Sequence, residues 1–130
     1  MTRPPTLPRA LRANALASLV TGLAGVLMSA PLAETIGLIH GTTYQVLGGA
    51  LIVHMLMLMW AAGRATIAWW TRVNLVGLAA YVVALLGVLA LGATATVTGS
   101  VLLAADALLV TLLAGWQFRA LNASAPQPVR

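Results

Sequence analysis

The sequence predicts an all-α fold, a transmembrane four-helix bundle made of two antiparallel hairpins, and three observations carry that prediction. Of 130 residues, 61% are hydrophobic and 7% charged, with a mean hydropathy of +0.98, whereas soluble domains carry about 25% charge. Four apolar runs are long enough to cross a hydrocarbon layer of roughly 30 Å at 1.5 Å per residue. Finally, all seven basic residues are Arg and fall in three short segments: Arg3, Arg9 and Arg12; Arg64 and Arg72; Arg119 and Arg130.

Residues 1–10 contain three prolines, Pro4, Pro5 and Pro8, and cannot be helical throughout. They are expected to form a tail. The transmembrane domain then extends over residues 11–121, with spans at about 11–32, 44–62, 69–91 and 99–121, and residues 122–130 form a second tail marked by Ser124, Pro126 and Pro128. Pro31 is read as the end of the first span. A cleaved signal peptide is the competing reading of that run, but it exceeds the usual 7 to 15 residue apolar region, and Pro31 stands where a small residue would be needed.

Arg clusters flank spans one, three and four and the loop between spans two and three, while the two remaining loops hold none. The positive-inside rule therefore places both termini and the middle loop in the cytoplasm. Trp60, Trp69, Trp70 and Trp116 fall at the same ends and, with Arg12, Arg64, Arg72 and Arg119, are expected to be interface anchors. The positive charge suits anionic lipid headgroups better than nucleic acid. The lipid bilayer and other membrane helices are the expected partners.

Helices in lipid approach through small residues and a few polar contacts. Span one carries Asn14, Ser18, Thr21, Gly22, Gly25 and Ser29 at spacings of three and four, span two opens on Gly48-Gly49, and span three carries Asn74, Gly77, Tyr81 and Ala84. These stripes read as helix-packing seams in preference to a polar pathway. A weak repeat relates Arg12-Ala-Asn14 to Arg72-Val-Asn74, and Trp60…Arg64 to Trp116…Arg119, suggesting two like hairpins. Chance matching within a small apolar alphabet is the alternative.

His54 and Asp106 are the ionisable residues inside the spans, where charge is costly. With Gln117 they form the candidate intramembrane polar site. Counting inward from the span boundaries puts His54 and Asp106 at similar depths, so a buried pair serving as a proton site is one reading. Hydrogen bonding that merely fixes helix arrangement is the preferred one.

The His54-Met55-Leu56-Met57-Leu58-Met59 run invites a copper or haem reading, but Met is an adaptable apolar filler and no second span histidine completes a ligand pair. No cofactor or metal is expected. Cysteine is absent, which removes disulfide and thiolate chemistry, and no nucleophile triad, phosphate loop or zinc motif occurs. An enzyme is not expected. Glu34 and His40 share one non-cytoplasmic loop, where a solvated pair is the ordinary explanation.

Asn14-Ala-Leu-Ala-Ser18-Leu-Val-Thr21-Gly22, Pro31-Leu-Ala33 followed by Gly37-Leu38, Gly48-Gly49, Asn74 and Gln117 together resemble a group of small bacterial four-span membrane proteins of unassigned function. That resemblance implies a multi-pass protein of the bacterial inner membrane and carries over no activity. Small multidrug exporters share the size, but they place a Glu in the middle of the first span, whereas Glu34 stands at its outer end. The expected function is a non-enzymatic accessory or assembly component that associates with other membrane helices. A small oligomeric proton-coupled transporter or channel using His54 and Asp106 is the alternative.

Overall fold

The computed structural model describes residues 6–124, and within them the chain is all-helical with no strand. Five helices follow in order: α1 (Thr6–Leu27), α2 (Ser29–Ile36), α3 (Gly41–Ala61), α4 (Ile67–Ala90) and α5 (Val97–Ala123). Four of them are long and apolar enough to cross a membrane, with apolar stretches of 21, 21, 24 and 27 residues in α1, α3, α4 and α5. The four are apolar around most of their circumference. Many of their large side chains point away from the protein, including Leu27 at 77%, Val76 at 72% and Val83 at 69% exposure. A water-soluble helix of this length would carry a polar face there.

The first span departs from expectation. Residues 11–32 are not one helix, because the backbone breaks at Met28, where φ is −115° and ψ is 28°. Pro31, read from sequence as a stop, instead lies in the first turn of α2, where its missing N–H removes no intrahelical bond. α2 then ends at Gly37, whose φ of +74° is the left-handed conformation that terminates a helix and that glycine adopts without a Cβ penalty. At the other end α1 begins at Thr6, inside the segment expected to be a tail. Pro8 falls in its first turn, which tolerates proline. Arg3, Pro4, Pro5, Pro126, Pro128 and Arg130 lie outside the described residues.

α1 packs along α3 and α4 along α5, while α1 and α2 supply the contacts to α5 that join the two pairs. Glycine sets the spacing of the first pair. A Cβ built on Gly22 would stand 2.8 Å from the Gly48 carbonyl oxygen, and one on Gly25 would stand 3.0 Å from the Tyr44 carbonyl oxygen and the Gly48 Cα. The backbones therefore touch, and dispersion between closely packed atoms replaces the hydrophobic effect that lipid cannot supply.

Two apolar clusters sit at opposite ends. At the Arg-bearing end, Leu7, Leu11, Ala15, Leu58, Ala62 and Ala120 are buried together. At the far end, Ile36, Leu85, Leu103 and Ala107 are buried, with Tyr44 and Leu89 packed on them. Polar bonds reinforce this second end. The Ala95 N–H donates to the Ile36 carbonyl oxygen over 2.8 Å, and the Thr96 hydroxyl donates to the Thr35 carbonyl oxygen over 2.7 Å. The last turn of α2 thus gains partners for carbonyls that its own helix leaves free. Thr96 also caps α5, its Oγ1 accepting from the Gly99 N–H at 3.0 Å.

Candidate polar sites within the helices

Asn74 and Gln117 face each other between α4 and α5. The Asn74 Nδ2 donates to the Gln117 Oε1 over 2.8 Å, and the two residues are 6% and 0% exposed. His54 of α3 reaches the same point, with its side chain against the Asn74 amide. Asn14 of α1, only 3% exposed, belongs to this level too. It lies one turn inward from Ala10 and Leu11, which share a buried cluster with Ala120, and Gln117 lies one turn inward from Ala120. Asn14, Asn74 and Gln117 are thus buried at one level just inside the Arg-bearing end, with the half-buried His54 of α3 beside Asn74. Three buried atoms there, Asn14 Nδ2, Asn74 Oδ1 and Gln117 Nε2, carry hydrogen-bonding capacity that no described residue uses.

Asp106 belongs elsewhere. Its Oδ2 accepts from the Tyr81 hydroxyl over 2.6 Å, so the carboxyl of α5 is tied to α4. Asp106 lies eleven residues from Gln117 along α5, about 16 Å at 1.5 Å per residue. His54 and Asp106 thus do not meet. The helices that carry them are not principal neighbours, since α3 packs on α1 and α2 while α5 packs on α4. Counting inward from the span ends aligned the two only by ignoring which helices touch. Of the three candidate site residues, Gln117 and His54 are brought together around Asn74, and Asp106 is separate.

Tyr81, which by spacing falls in the small-residue stripe of α4, is thus the partner of the Asp106 carboxyl. The available signal was that Tyr81 and Asp106 are both polar residues in otherwise apolar helices, yet the rotation of α4 against α5 is set by Leu85, Leu103 and Ala107 packing, which spacing alone does not reveal. Tyr81 is 40% exposed, so the pair lies at the open side of α4.

The packing residues divide in two. Asn14, Ser18, Gly22, Gly25 and Gly48 are buried, and Ser29 is half-buried at the start of α2. Gly49 and Gly77, also expected at helix contacts, have no neighbouring atom within 4 Å of the place a Cβ would occupy. At the Arg-bearing end the guanidinium of Arg64 stacks on Trp60, 4.5 Å from the ring centre, a cation–π contact. Trp70 meets Trp60 and Trp69 edge-on, with ring centres 5.8 and 4.9 Å apart. Arg12, Arg72, Arg119 and Trp116 are exposed. At the opposite end Glu34 and His40 line a shallow cleft at the α2–α3 turn. Among the described residues no group of three His, Cys, Asp or Glu side chains is placed to hold a metal ion.

The chain matches no known protein family, no curated protein and no solved structure.

Proposed function

We propose that this is a four-span bundle of the bacterial inner membrane with both termini and the Arg-bearing end in the cytoplasm, acting as a non-enzymatic accessory or assembly component that binds other membrane helices. One observation carries the partner reading. Gly77, Ala80, Tyr81, Ala84 and Gly87 are all exposed on α4, on one continuous side of it, and α4 as a whole buries only Thr71, Asn74 and Leu85. Small residues permit close backbone approach, and a polar group among them gives a second helix a directional contact. Here both are present on a side of α4 that the described residues leave exposed.

The transporter reading requires a polar route, and His54 and Asp106 occupy separate levels of one chain, so it would need further protomers to complete the route. Oligomeric state in the native membrane discriminates the two. A photo-crosslinking residue at Ala84, with Val53 on the exposed side of α3 as control, should give adducts with a different membrane protein at Ala84 alone. Adducts only with a second copy, in a symmetric assembly with a polar cavity near Asp106, would move the conclusion to transport. Equal yields at both positions would remove the α4 face as a docking surface.

A further inference from the structure

We propose that the cleft between α4 and α5 at the Arg-bearing end is a binding site for one anionic phospholipid. The cleft has a volume of about 480 Å³. Arg72 and Asn122 form its polar mouth, while Leu75, Val76 and Ala79 on α4 and Phe118 on α5 form its walls. Polar and apolar parts are ordered along the helix axis. From Arg72 to Ala79 the chain advances seven residues toward the middle of the span, about 10 Å, and Phe118 lies one turn inward from Asn122 on the facing helix. A phosphate at the mouth and an acyl chain along the walls would match this gradient. Val76 and Phe118 are 72% and 56% exposed, so the walls are open to lipid.

Charge selects the headgroup. The sequence has seven Arg against two carboxylate side chains. Glu34 is on α2 at the opposite end, and Asp106 is bonded to Tyr81, twelve residues from Phe118 and so about 18 Å along α5. Neither reaches Arg72. The anion for Arg72, and for Arg119 next to Phe118, must come from outside these side chains, and at this depth the lipid phosphate is the anion supplied by the surroundings. The Arg72 guanidinium at the mouth disfavours a zwitterionic headgroup bearing its own cation. A soluble phosphate would satisfy the charge but leave the apolar walls unused.

This site rests on the membrane reading above and not on the partner reading. On a helix of 3.6 residues per turn the cleft residues Arg72, Leu75, Val76 and Ala79 and the open-face residues Gly77, Ala80, Tyr81, Ala84 and Gly87 fall on separate, non-overlapping arcs of α4.

The test is native mass spectrometry of the purified protein with equimolar phosphatidylglycerol and phosphatidylcholine of identical acyl chains. The wild type should retain phosphatidylglycerol about fivefold better, the factor that about 1 kcal/mol per surface Arg represents. Arg72→Gln should abolish that preference, and Ala79→Phe, which fills the apolar part and keeps the charge, should lower retention of the lipid. Arg9→Gln, the same loss of charge away from the cleft, should leave retention unchanged. The proposal is overturned if Arg72→Gln or Ala79→Phe behaves as wild type, if Arg9→Gln is as damaging as Arg72→Gln, or if inorganic phosphate displaces the lipid.

Discussion

Asn74 of α4 and Gln117 of α5 are joined by a 2.8 Å hydrogen bond inside a layer that also holds Asn14 and His54. Removing either partner strands a buried amide, whereas removing both restores an apolar contact. Asn74→Leu and Gln117→Met should each destabilise the protein by about 1 to 3 kcal/mol. The double variant should lose less than the sum, with a coupling of about 0.6 and up to about 1.7 kcal/mol, the range for hydrogen bonds between membrane helices. Unfolding in mixed micelles, read as a double-mutant cycle, measures it; strict additivity would mean that the bond contributes nothing.

Gly48 is the tightest point between α1 and α3. A Cβ there would stand 2.5 Å from the Gly22 carbonyl oxygen and 2.8 Å from the Val26 backbone nitrogen, and neither can move aside without shifting α1. Gly48→Ala should cost about 1 to 3 kcal/mol, as overpacking does elsewhere. Gly49→Ala, one residue away with open space around it, should be neutral or slightly stabilising through helix propensity. Thermal midpoints of the two variants in one detergent compare the pair directly.

Tyr81→Phe deletes the donor to Asp106 and leaves a carboxyl in the span without its partner. A loss of about 1 to 3 kcal/mol is expected, together with a change in crosslinking at Ala84. Asp106→Asn keeps an acceptor for the tyrosine and should be milder. In liposomes, proton or substrate movement that is unaltered by His54→Ala and Asp106→Asn would remove the pathway reading altogether.

Thr96 holds two elements with one hydroxyl, since Oγ1 accepts from Gly99 and donates to the Thr35 carbonyl. Thr96→Val should cost about 1 to 2 kcal/mol, in line with loss of an N-cap, and Thr96→Ser should retain most of that stability. Hydrogen exchange at Gly99 provides the local readout: faster exchange in Thr96→Val alone is the expected pattern.

Orientation is tested by single cysteines in a chain that has none. His40→Cys should react with an impermeant maleimide added to intact cells, and Thr66→Cys only after permeabilisation. The reverse pattern would invert the assignment made from the Arg residues.

How far the sequence could be read follows from which physical effects are local. The four long apolar helices were legible because bilayer thickness imposes a minimum run of apolar residues, and their observed ends lie within a few residues of expectation at α3, α4 and α5. The small residues Gly22, Gly25 and Gly48 were legible as packing positions for the same reason, because close approach needs the absence of a side chain. α2 was not legible. A break at Met28 has no breaker residue of its own, and Pro31 signals a helix start as readily as a stop. The pairing of Asp106 with Tyr81 was hidden for a different reason: it depends on the rotation of one helix against another, which the side chains at Leu85, Leu103 and Ala107 decide together.

The glycine contacts between α1 and α3 have a consequence for biosynthesis. Every atom of that interface belongs to residues preceding Gly63, so the first helical pair can complete its backbone contacts while the rest of the chain is still on the ribosome. The second pair then arrives at a preformed surface whose amide at Asn14 and imidazole at His54 are already in position. A defect at Gly48 would therefore also act early, by denying the late-arriving helices their template, and would show as failed insertion or rapid degradation in the cell in addition to the lost stability of the mature protein.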